Sequence, residues 1–274
     1  MLSEQDLERL RDLARKMRVD IVNMLGTKTT GHLGGAASCV EILAALYFYK
    51  MRHDPKNPKM EDRDRLILSK GHAALAQYVA LARAGYFPAE ELASFKELGS
   101  KLQGHPDCNK TPGIEACTGS LGQGLSIGLG MALGGKLDNR PFRVYVLLGD
   151  GELYEGQVWE AAIACAAYRL DNLVAIVDAN GFAVTGKIAE LLPNGNLREK
   201  FRAFGWHVAE VDGHDMRVLA ETLDGFDAVA GQPKMIIANT IKGKGYSFAE
   251  NVASFHNTQL TKELYQRALQ ELAG

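Results

Sequence analysis

Residues 142–151 read FRVYVLLGDG and residues 173–181 read LVAIVDANG. Each is a short, β-branched, nearly continuous apolar run closed by glycine and a polar side chain, as expected of a strand buried on both faces. MIIANTI (235–241) repeats the pattern, and WHVAEVDG (206–213) is a further, alternating strand. Helical stretches over 156–168 and 216–226 fill the intervals. Strand, helix, strand in succession predicts an α/β fold: a doubly wound parallel sheet with helices on both faces. Ligands of such sheets sit at the carboxyl ends of the strands. The segments to inspect are therefore Gly149-Asp150-Gly151, Asp178-Ala179-Asn180 and Lys242-Gly243-Lys244-Gly245.

Ahead of the strands the chain is helical. Leu7, Leu10, Leu13, Ala14, Met17, Ile21, Val22 and Leu25 recur at three- and four-residue intervals, which predicts one amphipathic helix ending at Gly26. Further helices are expected over 38–49, 71–84, 125–133 and 261–272. No internal repeat or linker interrupts this order, so residues 1–274 read as one domain with a helical N-terminal segment.

Composition narrows the function. The 274 residues are 46% hydrophobic and 23% charged, and 31 Lys and Arg against 33 Asp and Glu leave a net charge of −2 without a basic stripe. That argues against nucleic-acid binding through phosphate neutralisation. The longest apolar runs, 42–49 and 161–168, stop far short of the roughly 20 residues of a membrane span. The N-terminus mixes both charge signs from its first turn, unlike a signal peptide, and a cytoplasmic protein is expected. Cys39, Cys108, Cys117 and Cys165 are far apart in sequence without a C-x-x-C pair, so they read as four free thiols.

The strand ends carry the chemistry. The Asp150 carboxylate, the Asn180 amide oxygen and a nearby loop carbonyl such as that of Phe182 suit a hard cation, magnesium or calcium, that keeps phosphate oxygens and water in its other positions. Singly, Gly-Asp-Gly is an ordinary strand-to-helix turn and Asn180 an ordinary turn residue. On successive strand ends the two are a much stronger signal. Neither G-x-G-x-x-G nor a P-loop is present, which argues against a nicotinamide dehydrogenase and a nucleotide hydrolase. A cation-bridged diphosphate remains. The loop Thr118-Gly119-Ser120-Leu121-Gly122-Gln123-Gly124 then leads into a helix whose first N–H groups can face an anion or a cofactor ring.

His32, His72 and His105 sit in glycine-bearing loops, and His256 follows Phe255 near the end. Loop histidines are more often solvated or capping than reactive, and their setting alone does not select these four. His53 and His207 read as structural, and His214 as a cap for the helix after Asp212-Gly213. No H-E-x-x-H zinc motif and no G-x-S-x-G elbow occurs, so hydrolase readings rank low.

With Ser69-Lys70-Gly71-His72-Ala73, Gly104-His105-Pro106 and the 118–124 loop added to Gly-Asp-Gly and Asn180, the chain resembles the transketolase family from about Met17 to His256. The resemblance implies a thiamine diphosphate-binding fold, with magnesium on Asp150, Asn180 and the Phe182 carbonyl. It implies Gly149, Gly151 and Asn180 beside the diphosphate, the Gly151 amide facing it, and Gly119 and Leu121 lining the cofactor. His72 and His256 would hydrogen-bond the diphosphate and the reacting sugar, and His32 and His105 would contact the donor's hydroxyl and carbonyl oxygens. Glu155 and Glu160 resemble acidic residues that link paired active sites across an interface between protomers. Ser120 stands where many family members have proline, and Asn257-Thr258 follow His256 in place of a glycine.

Full-length members carry three domains, and only the diphosphate-gripping one is legible here. The resemblance therefore implies the N-terminal subunit of a split transketolase that moves a two-carbon ketol unit between sugar phosphates. The partner would be a C-terminal subunit carrying the pyrimidine domain and its proton-donating glutamate, in an α2β2 heterotetramer, with no nucleic acid or membrane involved. The alternatives are the α subunit of a 2-oxo acid dehydrogenase's decarboxylating component and a non-catalytic thiamine-fold binding protein.

Overall fold

In the computed structural model, which describes residues 2–273, five strands form one sheet in the order β1-β2-β3-β5-β4, every neighbouring pair parallel. The strands are β1 (Arg65–Leu68), β2 (Val144–Gly149), β3 (Leu173–Ala179), β4 (His207–Asp212) and β5 (Lys234–Asn239). The helices are α1 (Glu4–Leu25), α2 (Leu33–Ala37), α3 (Val40–Ala45), α4 (Ala74–Ala84), α5 (Gln123–Leu137), α6 (Gly156–Ala167), α7 (Ile188–Leu191), α8 (Leu197–Ala203), α9 (Met216–Gly225) and α10 (Lys262–Leu272). No helix among the described residues is long and apolar enough to cross a membrane.

The continuous apolar runs are explained by two cores. In β2, Tyr145 and Leu147 join Val174, Ile176, Ile236 and Ala238 on one face, packed with α1, α3, α4, α9 and α10. Val144, Val146 and Leu148 join Ala175, Val177, Met235 and Ile237 on the other, packed with α5, α6 and α8. Successive side chains of a strand point to opposite faces, so a strand covered on both must be apolar at every position. Each such Val, Leu or Ile contributes about 1.5–3 kcal/mol by leaving water.

Three expectations are corrected. β1 is missing from the pattern, because its four residues, RLIL, are too few to show a period; only pairing with β2, from Arg65 opposite Val144 to Leu68 opposite Leu147, makes it a strand. The single helix expected over 38–49 is instead α3 over Val40–Ala45 followed by a turn of wider π-helix at Leu46–Lys50, with α2 lying ahead of it. α5 outruns 125–133 to Leu137, since Gly130, Gly134 and Gly135 dilute its apolar pattern without breaking it. Residues 1 and 274, the outer limits of the expected domain, lie outside the described residues.

α5 owes its close seat on the sheet to Gly128, where an added Cβ would stand 2.5 Å from the Val146 Cγ2; at Gly130 nothing lies within 4 Å. Gly128→Ala should therefore destabilise the chain by about 1–3 kcal/mol through overpacking. Gly130→Ala on the open face should stabilise it by about 0.5–1 kcal/mol through helix propensity. Denaturant unfolding of the two variants checks the opposite signs.

Candidate active site

The register of β2 on β3 sets Gly149 opposite Asp178, so Asp150 and Asn180 leave adjacent strands at the same edge. The Asp150 N–H donates to the Asp178 carbonyl at 3.3 Å. Its carboxylate accepts from the Gly181 N–H at 2.6 Å and the Gly151 N–H at 2.9 Å. The Asn180 Oδ1 accepts from the Phe182 N–H at 3.1 Å, while its Nδ2 donates to the Asp178 Oδ2 at 3.2 Å. The amide oxygen is thereby turned to the Phe182 side of the loop.

Behind these two residues Asp178 is wholly buried. It is paired with the buried Lys70, accepts from Ser38 Oγ at 2.6 Å and also accepts from the Thr240 hydroxyl. Lys70 Nζ donates in addition to the Gly35 carbonyl at 2.8 Å. Burial pushes the Asp150 carboxyl up, and the charge of Asp178 adds to it, to about 7. A carboxylate in that position is relieved by a cation. The Asp150 oxygens, Asn180 Oδ1 and the Phe182 carbonyl are all hard oxygen donors, so these residues fit an ion of the magnesium or calcium class.

The strand ends open into a cleft of about 430 Å3 lined by Gly35, Lys70, His72, Leu121, Gly149, Asp150, Gly151, Asn180, Phe182, Lys242 and His256, among others. Four histidines gather beside it. The His32 ring centroid lies 5.3 Å from that of His72, 5.2 Å from His256 and 5.9 Å from His105, and His72 and His256 are 5.0 Å apart. His72 and His256 line the cleft; His32, His105 and Gly119 do not, and the row of rings leads from the cleft outward. Gly119 has φ +149°, and a Cβ there would meet the His105 Cδ2 at 3.0 Å, so glycine is what lets the two loop limbs touch. The Asn257-Thr258 departure leaves His256 anchored, because Thr258 and Gly31 exchange N–H to carbonyl bonds of 2.9 Å beside His32. Glu155 and Glu160 are exposed at the start of α6, Glu155 at the cleft's rim.

Burial holds these imidazoles below their usual range. With the neighbouring His105 it brings His32 to about 4, with Lys242 it brings His256 to about 3, and His72 and His105 are lowered likewise. At neutral pH each is uncharged and offers one donor and one acceptor nitrogen. Lys242 is the site residue to which the sequence assigns no role. Its Nζ lies 3.1 Å from the His256 Nδ1 and donates to the Ala183 carbonyl at 3.0 Å, and burial brings it down to about 8. Its segment stands among the strand ends, but a lysine after a strand carries no signal of where its four-carbon stem will reach.

Two further readings are corrected. His214 does not cap α9, a role taken by the Asp215 side chain. Instead its Nδ1 meets Glu41 at 2.9 Å and its Nε2 accepts the Ile241 N–H at 2.9 Å, holding the segment before Lys242. Cys108 and Cys117, read as far apart, are separated by only nine residues and have Sγ atoms 3.4 Å apart; all four cysteines are free thiols. His53 stacks on Tyr86 at 5.6 Å, and His207 lies exposed on the edge strand.

Residues 8–272 match the family model described as transketolase, thiamine diphosphate binding domain. The chain is 45% identical to the 6-deoxy-6-sulfo-D-fructose transketolase subunit SqwG of Clostridium sp. (strain MSTE9), covering 99% of this chain and 98% of that protein. It is 41% identical to one of the subunits of the apulose-4-phosphate transketolase of Phocaeicola vulgatus, covering 97% of this chain and 95% of that protein. Against the transketolase of Homo sapiens it is 39% identical over 98% of its own length but spans only 43% of that enzyme. The crystal structure of the Campylobacter jejuni transketolase superposes with a TM-score of 0.91 at 31% identity, covering 97% of this chain and 43% of that one.

The uncharged histidine cluster has a sign that can be measured. Folded pKa values lie below the unfolded value near 6.5, so on acidification the unfolded chain takes up protons first and stability falls from about pH 6.5 towards pH 4. His256→Gln should flatten that slope without altering it above about pH 7, read as unfolding midpoints across the range.

Proposed function

This chain belongs to the transketolase family through its thiamine diphosphate-binding domain, and on that premise we propose that it is the cofactor-gripping subunit of a ketol transferase built from two kinds of chain. We read residues 1–274 as one such domain. Bound at the strand ends, thiamine diphosphate supplies a carbanion centre for breaking and making the sugar's carbon–carbon bond. The reading rests above all on Asp150 and Asn180 at adjacent strand ends, with the Asp178 charge behind them.

Asp150, Asn180 and the Phe182 carbonyl hold magnesium, for which calcium can substitute on the same oxygens. Gly149, Gly151 and Asn180 border the diphosphate, Gly151 through its N–H, while Gly119 and Leu121 lie along the cofactor. Lys242, a cation on the cleft wall, adds charge towards a phosphoryl oxygen. His72 and His256 hydrogen-bond the diphosphate and the sugar. His32 and His105 reach the donor's hydroxyl and carbonyl oxygens. Neutral imidazoles suit this task, because one nitrogen donates to an oxygen that gains charge and the other can take a hydroxyl proton. The substrates are a ketose donor and an aldose acceptor with anionic tails; the relatives are named for a sulfonated and a phosphorylated sugar.

The partner is a C-terminal transketolase subunit with the pyrimidine domain, assembled as α2β2. The need for a second kind of chain is supported by near-complete coverage of relatives named as subunits, against 43% of the human enzyme. Exposed Leu137, Ile163 and Tyr168 at the end of α5 and along α6 form apolar surface suited to such a contact. Glu155 and Glu160 stand at the start of the same α6 as candidates for the link between paired sites. Free thiols throughout accord with a cytoplasmic setting.

The purified chain with thiamine diphosphate and magnesium should show no ketol transfer, and adding the partner should restore it; turnover by the chain alone overturns the two-subunit reading. In the assembled enzyme, cofactor with magnesium at about 100 times its dissociation constant should stabilise by about 2.7 kcal/mol. Asp150→Ala should abolish that gain, measured as a thermal shift with and without cofactor. An unchanged shift places the metal elsewhere.

A further inference from the structure

We propose that Cys108 and Cys117 form a reversible intramolecular disulfide, a modification site that clamps the loop carrying His105. Both thiols are exposed, and their Sγ atoms lie 3.4 Å apart. They stand on two limbs that run side by side. The Thr118 N–H donates to the Pro106 carbonyl at 3.4 Å, and Cys108 and Cys117 follow just beyond that bond, one on each limb.

The limb carrying Cys108 is held on both sides of it. The Lys110 and Thr111 N–H groups donate to the Asp107 carbonyl at 3.2 and 3.0 Å, closing the turn beyond Cys108. The Thr111 hydroxyl donates to the Lys101 carbonyl at 2.6 Å, and the Tyr78 hydroxyl of α4 bonds the Gln103 and His105 carbonyls at 2.9 and 3.0 Å. The backbone thus holds the sulfurs in contact, and a bond needs them to close by about 1.4 Å. Asp107 Oδ1 accepts a hydrogen bond from the Cys117 thiol at 3.4 Å, which turns that sulfur within the pair.

The oxidant is a hydroperoxide. The Cys117 sulfur, once its proton has passed to hydroxide or a buffer base, attacks a peroxide oxygen; an S–O bond forms, the O–O bond breaks, and the leaving hydroxide departs as water. The Cys108 sulfur then attacks the Cys117 sulfur, forming S–S and releasing the second oxygen as water. Two thiols and hydrogen peroxide give one disulfide and two waters, and a dithiol reductant reverses it by exchange. Cys39 and Cys165 are buried, their thiols pushed up to about 12, and take no part.

One limb carries His105 and the other Gly119, so the crosslink fixes the contact between them. That consequence rests on the proposed role of His105; the crosslink does not. The test treats the reduced full-length chain with hydrogen peroxide near about pH 8, where a fraction of thiols is ionised. Expected are a mass loss of about 2 Da, one crosslinked peptide joining 108 to 117, and full reversal by dithiothreitol. Proteolysis within 109–116 should slow severalfold in the oxidised chain. Cys108→Ser should instead end in a gain of about 32 Da on Cys117 or in a covalent dimer. Independent oxidation of both thiols in the unmutated chain, unchanged proteolysis, or a zinc-loaded chain whose thiols survive peroxide overturns the proposal. Mass and cleavage do not depend on turnover, so failure here is distinguishable from failure of the ketol-transfer reading.

Discussion

Lys70 and Asp178 meet at the carboxyl edge of the sheet with almost no exposure to water, and through them the end of β1 is tied to the end of β3. Withdrawing two charges from water is expensive, and such a pair persists where its remaining donors and acceptors are also bonded. Here they are: Asp178 also accepts from Ser38, Thr240 and Asn180, and Lys70 also donates to Gly35. Four segments distant in sequence are thereby drawn to one edge. The electrostatic consequence falls on Asp150, whose buried carboxyl is raised further by the charge of Asp178. A cation at the strand ends would answer both the burial and the repulsion.

Glu152 is a second anchor of the same kind. It accepts from the Gly122 N–H at 2.7 Å, the Gly149 N–H at 3.0 Å and the Ser69 hydroxyl, so one buried carboxyl group fixes the start of α5, the end of β2 and the end of β1. The cleft is then formed by backbone that cannot drift. Around it the histidines are kept uncharged by burial, so each ring carries one donor and one acceptor nitrogen. Lys242 supplies a cation against His256, and its reach is secured at a distance by His214 and Glu41 holding the preceding Ile241.

Much of this is legible in order along the chain. The apolar runs of β2, β3 and β5 announce a sheet covered on both faces, and Gly-Asp-Gly and Asn180 stand at their ends because polar side chains collect where a buried strand meets solvent. β1 is not legible: four residues carry no period, and pairing with β2 alone defines it. His214 reads as a cap because local spacing resembles capping whenever a polar residue precedes a helix, whereas its partner Glu41 lies 173 residues away.

Amino-acid order alone was enough for the α/β class, for the carboxyl edge of a parallel sheet as the place for chemistry, and for the residues at the ends of β2 and β3. Those are consequences of periodicity and turn chemistry, which act over a few residues. Folding in three dimensions was needed to pair Lys70 with Asp178 across 108 residues, to bring four loop histidines into one cluster, and to set Cys108 against Cys117. Such approaches depend on how whole loops are drawn together by packing and buried charge, and no local pattern records them.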